Sequence, residues 1–225
     1  MLNQYRQRGD TMIEVLLAVT IFSVVAVTGL TIMNQGSAAS QRSLEITLVR
    51  NEMEAQATAL RFMYDAALAQ KSSASYDSTS VSPTSPAGRW NTILVELRKS
   101  STVGATPFAD MTNGISCIRP STITNAFVVN PRTATLYTYS DNPTRWTTAP
   151  VFSRVRFDQP TPGNPHPTGI RNVEGIWVEA VRRDAAPIGG VTVPGYTDFH
   201  IRACWSTVGQ AQPVTLGTIV RLYEP

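Results

Sequence analysis

Arg6-Gln7-Arg8-Gly9-Asp10-Thr11-Met12-Ile13-Glu14 opens into an uncharged stretch, and the order of these features decides how the chain is read. From Val15 to Gln41 there is no Asp, Glu, Lys or Arg. The most apolar part, Val15 to Met33, is 19 residues, about 28 Å as a helix and close to the thickness of a bilayer core. A secretory signal has a shorter apolar core followed by its cleavage site. Here the small-residue candidate Ala38-Ala39-Ser40 lies inside a pattern that stays helical well beyond it. An ordinary single-span anchor explains everything except Glu14. A carboxylate at the centre of a bilayer costs about 2.5 to 3.5 kcal/mol or more, so an acid at the head of such a span asks for a function.

Outward from the span, no proline occurs before Pro83, and Leu44, Leu48, Ala55, Ala59, Phe62 and Ala66 recur at helical spacings. This stripe is the expected core face. Glu45, Arg50, Glu52, Glu54 and Arg61 occupy the opposite side, with Arg50 to Glu54 and Arg61 to Asp65 at the four-residue spacing of helix ion pairs. An unbroken helix from Met12 to Gln70 would run about 88 Å. A small domain cannot bury that length, so its first half must meet lipid or further copies of itself. Gly29, with Thr20, Ser23, Thr28 and Thr31 around it, supplies the small and hydroxyl residues common where membrane helices approach closely.

Residues 71–88 read as a linker, rich in serine and carrying Pro83 and Pro86. The period then changes to two. Trp90 to Arg98, Ala134 to Tyr139, Val151 to Phe157, Val173 to Arg182, Tyr196 to Trp205 and Leu216 to Tyr223 are expected strands, separated by Gly, Pro, Asn and Asp turns. Phe199, Ile201, Ala203 and Trp205 alternate with Asp198, His200, Arg202 and Cys204, the pattern of an antiparallel sheet with one face on a core. Ile188-Gly189-Gly190 reads as a turn, and Asp158 to Gly169, with four prolines, as an exposed loop. The expected fold is α+β: a long N-terminal helix whose second half packs on a C-terminal antiparallel β-sheet head, residues 89–225.

Basic leader, glycine, spaced Glu and uncharged span together resemble the class III leader and N-terminal helix of type IV prepilins and of type II secretion pseudopilins. Arg8-Gly9, Thr11-Met12-Ile13 and Glu14 match the family pattern position by position, and the resemblance covers residues 1 to about 70. It implies a leader, residues 1–9, that a prepilin peptidase cuts between Gly9 and Asp10 on the cytoplasmic face. Asp10 then becomes the mature, commonly N-methylated terminus of a helix, residues 10–70, whose transmembrane part is about 13–33. The family's first mature residue is usually Phe or another apolar side chain, and Asp10 departs from that. Basic residues flanking a span stay cytoplasmic, which places the C-terminal bulk outside. Glu14 is implied to pair with the N-terminal amine of a neighbouring subunit during assembly.

The implied function is a structural subunit of a type IV pilus-like filament serving motility, adhesion or DNA uptake. The large head and the atypical Asp10 lean toward a minor subunit. The alternatives are a pseudopilin and a non-assembling membrane-anchored binding domain. Implied partners are other pilin subunits, prepilin peptidase, an inner-membrane assembly platform with its ATPase acting indirectly, and membrane lipid before assembly. The implied location is a single-pass inner-membrane protein with a cytoplasmic N-terminus, then a surface filament.

Cys117 and Cys204 are the two cysteines. Outside the cell they can form a disulfide, which many pilin heads carry, and the alternative is two buried thiols. No enzymatic constellation, cofactor motif or metal set is expected. The histidines are His166 and His200, the carboxylates are scattered, and two cysteines 87 apart lack zinc spacing. Removing Arg6 and Arg8 from the 19 basic residues leaves 17 against 16 acidic, too balanced for a general nucleic-acid field, so DNA binding is not favoured. Arg154, Arg156, Arg171, Arg182, Arg183 and Arg202 could line one polar sheet face, with solvated arginines guarding strands as the preferred reading.

Overall fold

The computed structural model describes residues 10–72, 81–139, 146–147, 151–158, 161–163, 169–188 and 191–224. The leader, residues 73–80 of the serine-rich linker, Gly189 and Gly190, and Pro165 to Pro167 of the proline-rich loop lie outside the described residues. The fold is α+β, and the chain divides after Leu44 into two units. Helix α1, Asp10–Lys71, begins in the first and continues in the second without a break at Gly29.

In the second unit α1 presents Glu45, Val49, Met53, Gln56, Ala57, Leu60 and Met63 to the core, at spacings of three and four. This corrects the expected stripe. Ala59 is buried, but Leu44, Leu48 and Phe62 are exposed, the last at 55%. The helix has two apolar faces, and the one that meets the sheet contains two polar residues that the sheet itself satisfies. Gln56 donates from Nε2 to the Val129 carbonyl at 2.8 Å and accepts the Val129 N–H at 2.7 Å. Glu45 accepts from Trp205 Nε1 at 3.1 Å and from the Thr207 hydroxyl. A buried polar group bonded in this way costs little, so it can sit where an apolar residue was expected. On the exposed side Arg61 pairs with Glu54 at 3.3 Å rather than with Asp65.

The expected strand from Trp90 to Arg98 is helical. Helix α2, Pro86–Thr92, runs into a π-helical turn, Ile93–Leu97. Ser85 caps it by accepting the Gly88 N–H at 3.0 Å, and Pro86 occupies the first turn. Trp90, Ile93 and Leu97 then share one buried face at helical spacing, and the Trp90 ring packs 5.3 Å from Tyr64 and 5.5 Å from Phe199. Gly88 must be glycine, because a Cβ there would lie 2.1 Å from the Ser82 carbonyl oxygen.

Twelve strands follow among the described residues: β1 Thr112–Asn113, β2 Ser116–Cys117, β3 Phe127–Asn130, β4 Thr135–Thr138, β5 Trp146–Thr147, β6 Arg154–Phe157, β7 Ile170–Glu174, β8 Ile176–Arg183, β9 Ala186–Ile188, β10 Val191–Val193, β11 Tyr196–Trp205 and β12 Val214–Tyr223. The main sheet is antiparallel in the order β12-β11-β8-β3-β4, beside a three-stranded sheet β5-β7-β6 and two small hairpins. The single expected strand from Val173 to Arg182 is two strands in different sheets. Gly175, at φ +58, turns the chain between β7 and β8, and its carbonyl accepts the Ser153 hydroxyl at 2.9 Å and the Cys204 N–H at 2.8 Å. Strand β3 lies outside the expected strands, since Phe127, Val128, Val129 and Asn130 are all buried and leave no alternation.

The main sheet is covered on both faces, not one. Opposite α1, the segment from Lys99 to Cys117 lies over β8 and β11. Lys99 Nζ meets Glu179 Oε2 at 2.6 Å, Thr106 gives the same oxygen its N–H and hydroxyl at 3.0 Å, and Trp177 Nε1 donates to Oε1 at 2.8 Å. The Arg202 guanidinium stacks 4.1 Å above the Phe108 ring, and Cys117 is bonded to Cys204. The expected polar face of β11 therefore carries buried Asp198, Arg202 and Cys204.

Candidate functional site

The first unit is its helix, and its chemistry is that of its surface. Every large apolar side chain from Met12 to Met33 is between 56% and 78% exposed. Side-chain hydroxyls within the span bond to their own backbone. Thr20 reaches the Leu17 carbonyl at 2.8 Å, Ser23 that of Val19 at 2.7 Å, Thr28 that of Val24 at 2.7 Å and Thr31 that of Val27 at 2.9 Å. Each polar group is thereby satisfied within the helix, as hydrocarbon requires. Around Gly29 an added Cβ would meet nothing within 4 Å, so this surface is open to close approach by a second helix. One helix of the described residues is long and apolar enough to cross a membrane.

Glu14 lies in this helix near its start and is exposed. Among the described residues it has no hydrogen bond or ion pair, so its carboxylate is the one charge in the segment from Met12 to Gln41 and is unanswered there. Asp10 is the first helical residue, and Gly9, the other half of the expected cleavage site, lies outside the described residues.

The second unit holds the remaining expected residues. Cys117 and Cys204 form a disulfide with Cα atoms 5.7 Å apart, joining β2 to β11 across 87 positions. Closing a loop of that size stabilises the fold by about 4 to 5 kcal/mol on the chain-entropy account. The six arginines do not share a face. Arg154 pairs with Glu174 at 3.0 Å, Arg182 with Asp184 at 2.7 Å, and Arg202 is buried under Phe108. His200, half-buried on β11, is held below its ordinary value by burial and by the Arg202 guanidinium. Sequence reasoning missed the Lys99–Glu179 pair, since nothing local links two residues 80 positions apart. Burial alone would raise the Glu179 carboxyl, but hydrogen bonds from Lys99, Trp177 and Thr106 hold it below its usual value.

These features place an unpaired acid and a lipid-compatible surface in one unit and a cross-linked α+β fold in the other. Comparison with protein-family models, curated proteins and solved structures finds no match to this chain.

Proposed function

We propose that the chain is a structural subunit of a type IV pilus-like filament, made as a prepilin, cut between Gly9 and Asp10, held in the membrane by its helix and then assembled through that helix. The observation that carries this reading is the solitary Glu14 at the head of an uncharged helix exposed on all sides, directly after Arg8-Gly9. Such a surface is stable only against lipid or against similar helices. Leaving lipid for a filament core would strand both Glu14 and the new α-amine of Asp10 in a medium of low dielectric. Pairing the carboxylate of one subunit with the amine of the next satisfies both and sets their axial register. The exposed Leu48 and Phe62 further along α1 extend the surface available to neighbouring subunits. The disulfide suits a head that works outside the cell, where thiols oxidise.

The departure at Asp10 and the size of the head favour a minor or tip-proximal place in the filament. The test is imaging of surface appendages in cells carrying tagged wild-type protein or Glu14→Ala. The wild-type tag decorates fibres. The variant is inserted and cut as usual but is absent from fibres, and normal incorporation of the variant would refute the charge contact.

A further inference from the structure

Strand β12 forms one edge of the main sheet and has a single neighbouring strand, β11, among the described residues. Its ladder fixes where its backbone points. The Glu224 N–H donates to the Gly195 carbonyl at 2.7 Å, one step beyond the Tyr196–Tyr223 pair, and bonds to β11 then recur at every second residue. The Cys204 N–H, which donates to the Gly175 carbonyl at 2.8 Å on the β8 side, agrees with that alternation. Thr215, Gly217, Ile219, Arg221 and Tyr223 therefore turn their N–H and C=O groups toward the open edge, and none of these groups has a partner among the described residues.

Long edge strands are normally blunted by lysine, proline or a bulge. Here all ten residues of β12 pair with β11 without a register shift, and none is lysine or proline. The one charge is turned back onto the sheet. The Arg221 guanidinium bonds to Asp198 at 2.8 and 3.1 Å and lies 3.9 Å from the centre of the Tyr196 ring. The outer flank of the edge is apolar and open: Ile219 is 56% exposed and Tyr223 47%, and half-exposed Phe108 packs against Gly217. On the inner flank a groove of about 330 Å³ lies between β12 and α1, lined by Leu216, Gly217, Thr218, Arg50, Met53 and Glu54. A strand placed beside β12 would therefore meet α1 on that side.

We infer that β12 takes up a sixth strand from a different polypeptide, an extended segment with apolar side chains on its outer face and polar ones toward Arg50 and Glu54. A row of alternating N–H and C=O groups is matched by extended backbone, which makes the ligand a peptide strand rather than a small molecule. A second copy of this chain does not supply it. Strand direction alternates across the sheet, so a copy in the same orientation would bring its β4 alongside β12 in parallel. That strand has four residues and turns only Leu136 and Thr138 outward. Antiparallel pairing with the copy's own β12 rotates one head by half a turn about an axis through the sheet and reverses the α1 packed on it, so two chains anchored in one membrane cannot meet in that way. The inference rests on the proposed filament, in which it makes the partner an unlike subunit beside the head.

The test compares hydrogen exchange of the full chain in detergent with that of the chain in sheared fibres. In detergent the amides of Gly217, Ile219 and Arg221 should exchange freely while those of Thr218, Val220 and Leu222 are protected, and in fibres the outward set should slow by roughly tenfold or more. Ile219→Pro removes an outward N–H and no bond to β11, which an edge strand tolerates. It should keep the circular dichroism of wild type yet fall roughly tenfold or more in fibre content, since a proline blocks the added ladder. Ile219→Val keeps the N–H and should stay within about twofold. A photoreactive phenylalanine in place of Tyr223 should cross-link, in fibres, to an extended segment of a different subunit. Unchanged exchange in fibres that contain the chain, normal fibre content of folded Ile219→Pro, or a cross-link to β12 of a second copy would each overturn the inference and leave the filament reading standing. Absence of the chain from fibres would overturn both.

Discussion

Residues 10–44 and 45–225 solve the problem of apolar surface in opposite ways. The first unit leaves all of it exposed and satisfies its hydroxyls internally, so it holds together as a helix with no core. The second buries Val49, Leu60, Met63, Phe127, Trp177, Phe199 and Trp205 around one sheet, and bonds its buried carboxylates Glu45, Glu179 and Asp198 to donors of its own. A carboxylate's surroundings, rather than its presence in an apolar segment, tell whether its partner is inside or outside the chain. Glu179 has Lys99, Trp177 and Thr106, and Glu45 has Trp205 and Thr207. Glu14 has no such partner among the described residues.

The largest effect inside the second unit is expected from Lys99→Ala, which leaves Glu179 buried without its ion-pair partner. Unfolding of the head by urea should show a loss of about 3 to 5 kcal/mol. A loss below about 1 kcal/mol would mean that the pair is no more buried in effect than a surface one. Next comes the choice of helix face. Leu60→Ala empties a site with no exposure and should cost about 2 to 5 kcal/mol. Phe62→Ala, on the exposed face, should stay within about 0.5 kcal/mol in the isolated chain. Equal costs would contradict the burial of one stripe over the other.

Acid should act on the second unit as well. The Glu179 carboxyl is held below its unfolded value of 4.5, so its contribution is fully present above that pH and is lost as pH falls through the lower, folded value. Urea midpoints followed by tryptophan fluorescence should therefore decline below about pH 4.5. Glu52, raised by burial, contributes with the opposite sign and moderates the decline. A small effect is also expected for Arg61→Ala, whose partner Glu54 is more exposed than itself, and thermal unfolding should register less than about 1 kcal/mol.

Much of this division was legible in the residues. The uncharged run from Val15 to Gln41, the long helix through Gln70 and the strand from Tyr196 to Trp205 follow directly from composition and period. The face of α1 that meets the sheet was not legible, because Glu45 and Gln56 look solvated until Trp205, Thr207 and Val129 arrive from far along the chain to bond them. The second cover of the sheet was hidden for a similar reason. Asp198, His200, Arg202 and Cys204 alternate as a solvent face would, yet Phe108, Met111 and Cys117 pack over that side. Helix α2 could have been found. Ser85-Pro86 before Trp90, Ile93 and Leu97 is a capped start with helical spacing, but β-branched and aromatic residues there pulled the reading toward a strand.

In the proposed filament the exposed helix of the first unit is completed by other copies once the leader has gone. Mass spectrometry of the N-terminal peptide from sheared surface fibres tests it most directly. The chain in those fibres should begin at Asp10, with or without a methyl group on its amine. Protein found only in the cell envelope, with residues 1–9 still attached and none in any fibre, would contradict it.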